Sequence, residues 1–211
     1  TKFSPSLRSQ IGGPDGFYFG ELMLANHSSV VFSRHLELAA TVNLSLVDNF
    51  GELKLASDSI LPHVRTDIVK YLKESNGLHI QNLQLMYFNK FGKNIYSKLS
   101  IGLFEPMFGG IGGEVLYKPV ASNYGIGFEL WNVKQRDYDQ MFDFRNYSTV
   151  TGHMTFYYQE PRSRVLIKLM GGRFLAKDSG FHLDLSRGFK SGLRIGAFLA
   201  RTDISYAEFG E

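Results

Sequence analysis

Cysteine is absent from the 211 residues. Its absence excludes disulfides, thiolate metal sites and cysteine nucleophiles, and it suits a cytosol and a periplasm equally. Long apolar runs are absent too: nothing approaches the roughly 18 consecutive apolar residues of a membrane helix. Neither sign of charge dominates. Lys and Arg total 23 against 20 Asp and Glu, a net charge of +3, which gives no electrostatic case for nucleic acid as a partner. Tryptophan occurs once and proline six times, and no linker, low-complexity tract or tight repeat divides the chain. With 44% apolar and 20% charged residues, the sequence is not of the disordered class either.

What is abundant is glycine (22), phenylalanine (18) and tyrosine (11), set in a period of two. Val150, Gly152, Met154, Phe156 and Tyr158 alternate with Thr151, His153, Thr155 and Gln159. The same pattern runs through 124–130, 164–171, 181–186 and 193–200, each with one apolar face and one polar or small face. Turn residues separate these runs at 92–94, 119–123, 160–163, 176–180 and 189–192. Asn26-His27-Ser28-Ser29 reads as a turn between a strand near 17–25 and a long run near 30–47. The expectation is about ten antiparallel strands in an up-and-down meander, with nearest neighbours paired from 79 to 201. One interruption has helical spacing: in 62–75, Val64, Ile68, Tyr71 and Leu72 share a face, Pro62 suits the first turn and Gly77 the stop. Val64, Ile68 and Leu72 should be buried, and Lys70 and Lys73 more exposed.

Alternation fits a soluble β-sandwich with its apolar face inward and equally an outer-membrane barrel with its apolar face outward. Strands of about ten residues, aromatics near strand ends (Tyr117, Tyr124, Tyr157, Tyr158, Phe174, Phe181, Phe189) and short turns alternating with longer connections favour the barrel. The chain opens on Thr1 and stops at Glu211 inside what reads as an unfinished segment. It is therefore read as a fragment, one β-barrel segment over 1–211 with a candidate internal boundary near 55–77.

Chemical motifs are sparse. Phe108-Gly109-Gly110-Ile111-Gly112-Gly113 lacks the lysine of a phosphate loop and runs into a strand, so it reads as a bend or a close backbone approach. The histidines (His27, His35, His63, His79, His153, His182) have no metal-ligand spacing, and neither a metal nor a cofactor is expected. Asp137, Asp139 and Asp143, with Glu129, resemble glycosidase carboxylates, but Lys134, Arg136 and Arg145 beside them make a self-neutralising network the simpler reading. Tyr138, Met141, Phe142, Phe144 and Tyr147 add ring faces of the kind that stack on sugars.

Several stretches resemble the YjbH family of exopolysaccharide and capsule outer-membrane lipoproteins. They are Leu61-Pro62-His63-Val64-Arg65-Thr66-Asp67-Ile68, Asn82-Leu83-Gln84-Leu85, Leu116-Tyr117-Lys118-Pro119, and Val133 through Gln140. Phe144-Arg145-Asn146-Tyr147, Thr151-Gly152-His153, and Asp184 through Phe198 continue the likeness, which is weaker before residue 55. The resemblance implies a bacterial outer-membrane β-barrel, lipidated outside this segment, that serves exopolysaccharide secretion or assembly in capsule or biofilm without enzymatic activity. Its partners would be an acidic or neutral exopolysaccharide, outer-membrane lipid and other exopolysaccharide-secretion proteins. The rival readings are a soluble periplasmic β-sandwich that binds polysaccharide and a polysaccharide hydrolase or lyase. Within the barrel reading, 134–146 is the expected main extramembrane loop. Arg136 and Arg145 would grip acidic groups of a polymer, Tyr138, Phe142 and Phe144 would stack on it, and Asp137, Asp139 and Asp143 would hold the arginines or bind hydroxyls.

Overall fold

A computed structural model describes residues 1–13, 15–54, 67–75, 77–205 and 208. The period-two sequence forms one sheet of eleven strands in sequential order. These are β1 (Lys2–Gly13), β2 (Gly16–Val31), β3 (Leu36–Asp48), β4 (Leu78–Phe91), β5 (Ile95–Leu103), β6 (Phe108–Tyr117), β7 (Tyr124–Arg136), β8 (Phe144–Gln159), β9 (Val165–Arg173), β10 (Ser179–Gly188) and β11 (Arg194–Thr202). Every neighbouring pair is antiparallel, including the four expected across 89–95, 159–164, 175–181 and 187–193. The sheet is all-β in class, and it is open: β1 and β11 are its edges.

One turn assignment is corrected. Asn26 to Ser29 lie inside β2, and the chain reverses at Phe32–His35 instead. The polar residues at 26–28 are accommodated in the ladder because His27 Nδ1 bonds Thr41 Oγ1 across the strands at 3.2 Å and Ser28 bonds Asn26 at 2.8 Å. Ser33 Oγ accepts the amides of His35 and Leu36, which fixes the actual turn.

The two faces of the sheet are opposites. On β8, Val150 is 44% exposed and Met154 60%, whereas the residues that follow them, Thr151 and Thr155, are 4% and 5% exposed. The register carries this division across the sheet. Leu7, Leu24, Leu44, Leu85, Leu99, Ile111, Leu130 and Leu185 are exposed on one face. Glu21, Thr41, Ser100, Thr149 and Ser186 are buried on the other. Ion pairs between directly opposed residues lie on that polar face: Arg8–Glu21, Lys98–Glu114 at 2.7 Å and Glu129–His153 at 2.7 Å.

The polar face is the concave one. Among the described residues of the β3–β4 connection is α1 (Ile68–Glu74), a helix of 7 residues and so about 10 Å long. Its Leu72 packs with Phe19 of β2, Phe50 and Leu53, while the adjacent Tyr71 packs with Phe108 of β6 and Val133 of β7. In a flat sheet β2 and β7 would be roughly 24 Å apart. One short helix touches both because the sheet curls around it. The helical expectation at 62–66 lies outside the described residues. Within α1, Leu72 is buried and Lys70 exposed as expected, Lys73 is half-buried, and Ile68 is exposed, not buried. Ile68 misses both clusters because the helix meets two separate surfaces, through Val69 with Leu72 and through Tyr71, not one apolar stripe.

The glycine-rich run lies within β6, not in a loop. Gly102 and Gly110 face each other across β5 and β6 with φ of 135° and 157°. A Cβ on Gly110 would stand 2.1 Å from the carbonyl oxygen of Asn132. These paired glycines let adjacent strands bend sharply, as closing sheets require.

Candidate functional site

Antiparallel alternation puts the β5–β6 turn, the β7–β8 loop and the β3–β4 connection with α1 at one rim of the sheet. The 32–35, 92–94, 118–123, 160–164 and 189–193 turns lie at the other. The β7–β8 loop is 137–143, shorter than the expected 134–146, because β7 continues to Arg136 and β8 begins at Phe144. The main connection between strands that end at this rim is the β3–β4 one, whose described residues are 49–54, 67–75 and 77.

Near its end β7 shifts register between Lys134 and Arg136. The shift breaks alternation, so Gln135 and Arg136 are buried in succession. The Arg136 guanidinium donates to the carbonyls of Glu105 at 2.8 Å, Met141 at 2.9 Å and Gln140. Its own carbonyl accepts the Tyr71 hydroxyl at 2.6 Å. Arg136 therefore ties three connections together, and with no exposed surface it has no guanidinium edge to offer a polymer. Its assigned grip on acidic groups is corrected to a structural one. The cause is the register shift, which turned a residue expected at an exposed loop into the interior.

Gln140, also buried, holds the tip of the loop. Its φ is +58°, its side chain donates to the Tyr71 carbonyl at 3.0 Å, and its carbonyl accepts the amide of Ile80 at 3.1 Å. Tyr138 lies edge-on to Tyr71 at 5.1 Å. Arg145 pairs with Asp137 at 2.9 Å and covers the Tyr138 ring at 4.1 Å. Asp139 accepts the amide of Met141 at 2.9 Å, and the Asp143 carbonyl accepts that of Asp137 at 2.9 Å. Asp137 thus holds Arg145, as expected, whereas backbone carbonyls hold Arg136. Phe142 and Phe144 point the other way. They are exposed on the apolar side and line an outer groove of about 890 Å³ with Leu85, Ile101 and Ile111. The expected site is therefore split: Arg136, Asp137, Tyr138 and Arg145 gather around α1, and the two phenylalanines do not join them.

Sequence reasoning missed Asp67. Its buried carboxylate accepts from Lys70 at 2.9 Å, the Tyr138 hydroxyl at 3.1 Å and Gln135 at 3.3 Å. Burial acts to raise its pKa, but these three hydrogen bonds together outweigh burial and hold the carboxyl below its ordinary value. A depressed folded pKa gives stability that is present above the unfolded value and lost as pH falls through the folded one. Hydrogen-exchange protection of 137–143 in the full-length protein should hold from pH 7 down to about 4 and drop below it. Asp67→Asn should lower protection at pH 7 and remove the acid step; an unchanged acid step would show that another group controls it.

Among the described residues no helix is long and apolar enough to cross a membrane, and no His, Asp and Glu cluster is arranged for a metal. A family model described as an exopolysaccharide biosynthesis protein, YjbH, matches residues 1–211. A curated Escherichia coli K12 protein named "Uncharacterized lipoprotein YjbH" is 35% identical over 214 residues, covering 98% of this chain. The chain spans 30% of the length of that relative. No solved structure matches.

Proposed function

We propose that this chain, which belongs to the YjbH exopolysaccharide biosynthesis family, is part of an outer-membrane β-barrel that serves exopolysaccharide secretion or assembly without catalysing a reaction. The observation that carries the reading is the inversion of the sheet: most of its strand leucines, isoleucines and phenylalanines face out, those under α1 such as Phe19 and Phe108 excepted, while buried threonines and serines and the ion pairs face the concave side. A sandwich needs a second layer over the apolar face, and among the described residues no element packs there. Outward aromatics near both rims, Tyr117, Tyr124 and Phe189 at one and Phe142 and Phe144 at the other, fit interfacial girdles. A lipoprotein relative agrees with a membrane location. The carboxylates at the helix rim favour a non-enzymatic role, because Asp67, Asp137 and Asp139 are each engaged in holding the rim together.

Strand direction adds a condition on closure. In an unbroken meander of eleven strands β1 and β11 run the same way. An all-antiparallel barrel then takes an odd number of further strands between them, in keeping with the even strand counts of bacterial barrels. The longer relative has chain beyond the matched region from which such strands could come.

The test is the full-length protein in outer-membrane fractions, read by heat-modifiable gel mobility. Met154→Arg, at the middle of the outer face, should cost about 2–4 kcal/mol and sharply reduce the heat-modifiable form. Ser6→Arg, on the concave face, should leave it intact. A soluble protein, or equal tolerance of both substitutions, would overturn the barrel.

A further inference from the structure

The concave face holds a second feature, away from the helix rim. On β7, Gly125 and Gly127 leave the inner face without side chains for two successive inward positions. The bare backbone becomes the floor of a trough of about 480 Å³, within the range of small-ligand sites. Leu116 and Glu114 of β6 wall one side, Tyr157 and Gln159 of β8 the other, and Glu129 closes one end. Side chains border the floor closely: a Cβ on Gly127 would stand 3.3 Å from the Tyr157 ring, and one on Gly125 would stand 3.3 Å from Lys118 Cδ.

We propose that this trough is a subsite for a neutral sugar segment of the polymer, an inference that rests on the polysaccharide role proposed above. The Tyr157 ring and Leu116 supply an apolar surface for the C–H face of a pyranose. Glu114 and Glu129 are held in place by Lys98 and His153, each through one carboxylate oxygen, and keep acceptor capacity for hydroxyls. The preference for a neutral unit comes from what the lining contains. Recognition of uronate or phosphate groups uses guanidinium forks, and among the described residues no arginine lines the trough. Its one lysine, Lys118, donates to the carbonyl and hydroxyl of Ser122. The two carboxylates at the wall and end, already paired with Lys98 and His153, offer an anionic chain no attraction.

The experiment is titration calorimetry of the full-length protein in detergent micelles, with maltohexaose as the neutral probe and hexagalacturonate as the acidic probe of equal length. Maltohexaose should bind about tenfold or more tighter than hexagalacturonate. Tyr157→Ala should weaken maltohexaose binding about tenfold and Tyr157→Phe should leave it unchanged, since the ring and not the hydroxyl makes the contact. Gly127→Leu, which fills the floor, should abolish it. Heat-modifiable mobility is read on the same preparations. A heat-modifiable protein that binds neither probe, prefers the acidic one or ignores Tyr157→Ala overturns the subsite and leaves the barrel standing. Loss of heat-modifiable mobility in the wild type overturns the barrel, whatever the calorimetry reads. Should Gly127→Leu fail to fold, the Tyr157 pair decides the matter.

Discussion

Replacing Arg136 with alanine is expected to loosen the whole helix rim and destabilise the folded protein by about 3 kcal/mol or more. The argument is one of accounting for polar groups. The guanidinium serves the carbonyls of Glu105, Gln140 and Met141 from a fully buried position. Hydrogen bonds to a charged group are each worth about 1.5–3 kcal/mol, and an orphaned buried acceptor carries a desolvation cost of its own. Their sum is discounted because carbonyls at a rim regain some water once the side chain is gone. Arg136→Lys should fall between wild type and alanine, since a single ammonium lacks the planar fork that serves several acceptors. The measurement is the urea midpoint of the heat-modifiable form, with hydrogen exchange to locate the loss at 104–107 and 137–143. A wild-type midpoint for Arg136→Ala would remove Arg136 from the structural account. The same reasoning makes a double substitution at Arg136 and Arg145 uninformative about polymer contact, because its first half disturbs the fold. Arg145→Ala alone, which breaks a half-exposed pair with Asp137 worth about 0–1 kcal/mol, isolates that question.

Alternation made the strands legible from Tyr124 onward, where most inward residues are small or polar and most outward ones are large and apolar, with Trp131, Val133 and Tyr157 among the inward exceptions. It failed in the places where the backbone departs from strict pleating. At Arg136 a register shift hid a buried residue in what reads as a charged loop. In β2 a polar tetrad looked like a turn because its cross-strand partner, Thr41, stands fourteen positions away in sequence. Phe142 and Phe144 stand close to Tyr138 in sequence and face the opposite side of the sheet in space, which spacing alone cannot reveal. Asp67 belonged to a predicted helix but carried no motif; its three partners are assembled from the helix, β7 and the β7–β8 loop. The trough had only one trace in the sequence, the Gly-x-Gly at 125–127, read simply as the small face of a strand.

Gly110→Val is expected to have one of the largest effects of any single change in the sheet, and the contrast with other glycines gives the reason. Most strand glycines could be replaced if only side chains stood in the way, since side chains move. At Gly113 an added Cβ would stand 2.7 Å from Leu99 Cδ2, the flexible end of a side chain, and 3.1 Å from a carbonyl. Gly113→Ala should therefore be a moderate loss, of about 1 kcal/mol. At Gly188 nothing lies within 4 Å, and Gly188→Ala should be neutral or slightly stabilising, because it lowers the entropy of the unfolded chain. Gly110 combines two obstacles that neither of those has. Its φ of +157° disfavours any side chain, and the Cβ would stand 2.1 Å from the Asn132 carbonyl oxygen and 3.0 Å from the Val133 Cα, both backbone atoms of the paired strand. Relief requires β6 and β7 to separate at a point that sits directly below Arg136 and beside the Tyr71 cluster. β-branching then adds a methyl on each side of the same carbonyl. The expected result for the full-length protein is no heat-modifiable form at all, with Gly113→Ala and Gly188→Ala retaining it in that order of increasing stability. A heat-modifiable Gly110→Val protein with a near-normal urea midpoint would mean that the bend at Gly102 and Gly110 is not what lets the sheet curl, and that its curvature is set elsewhere.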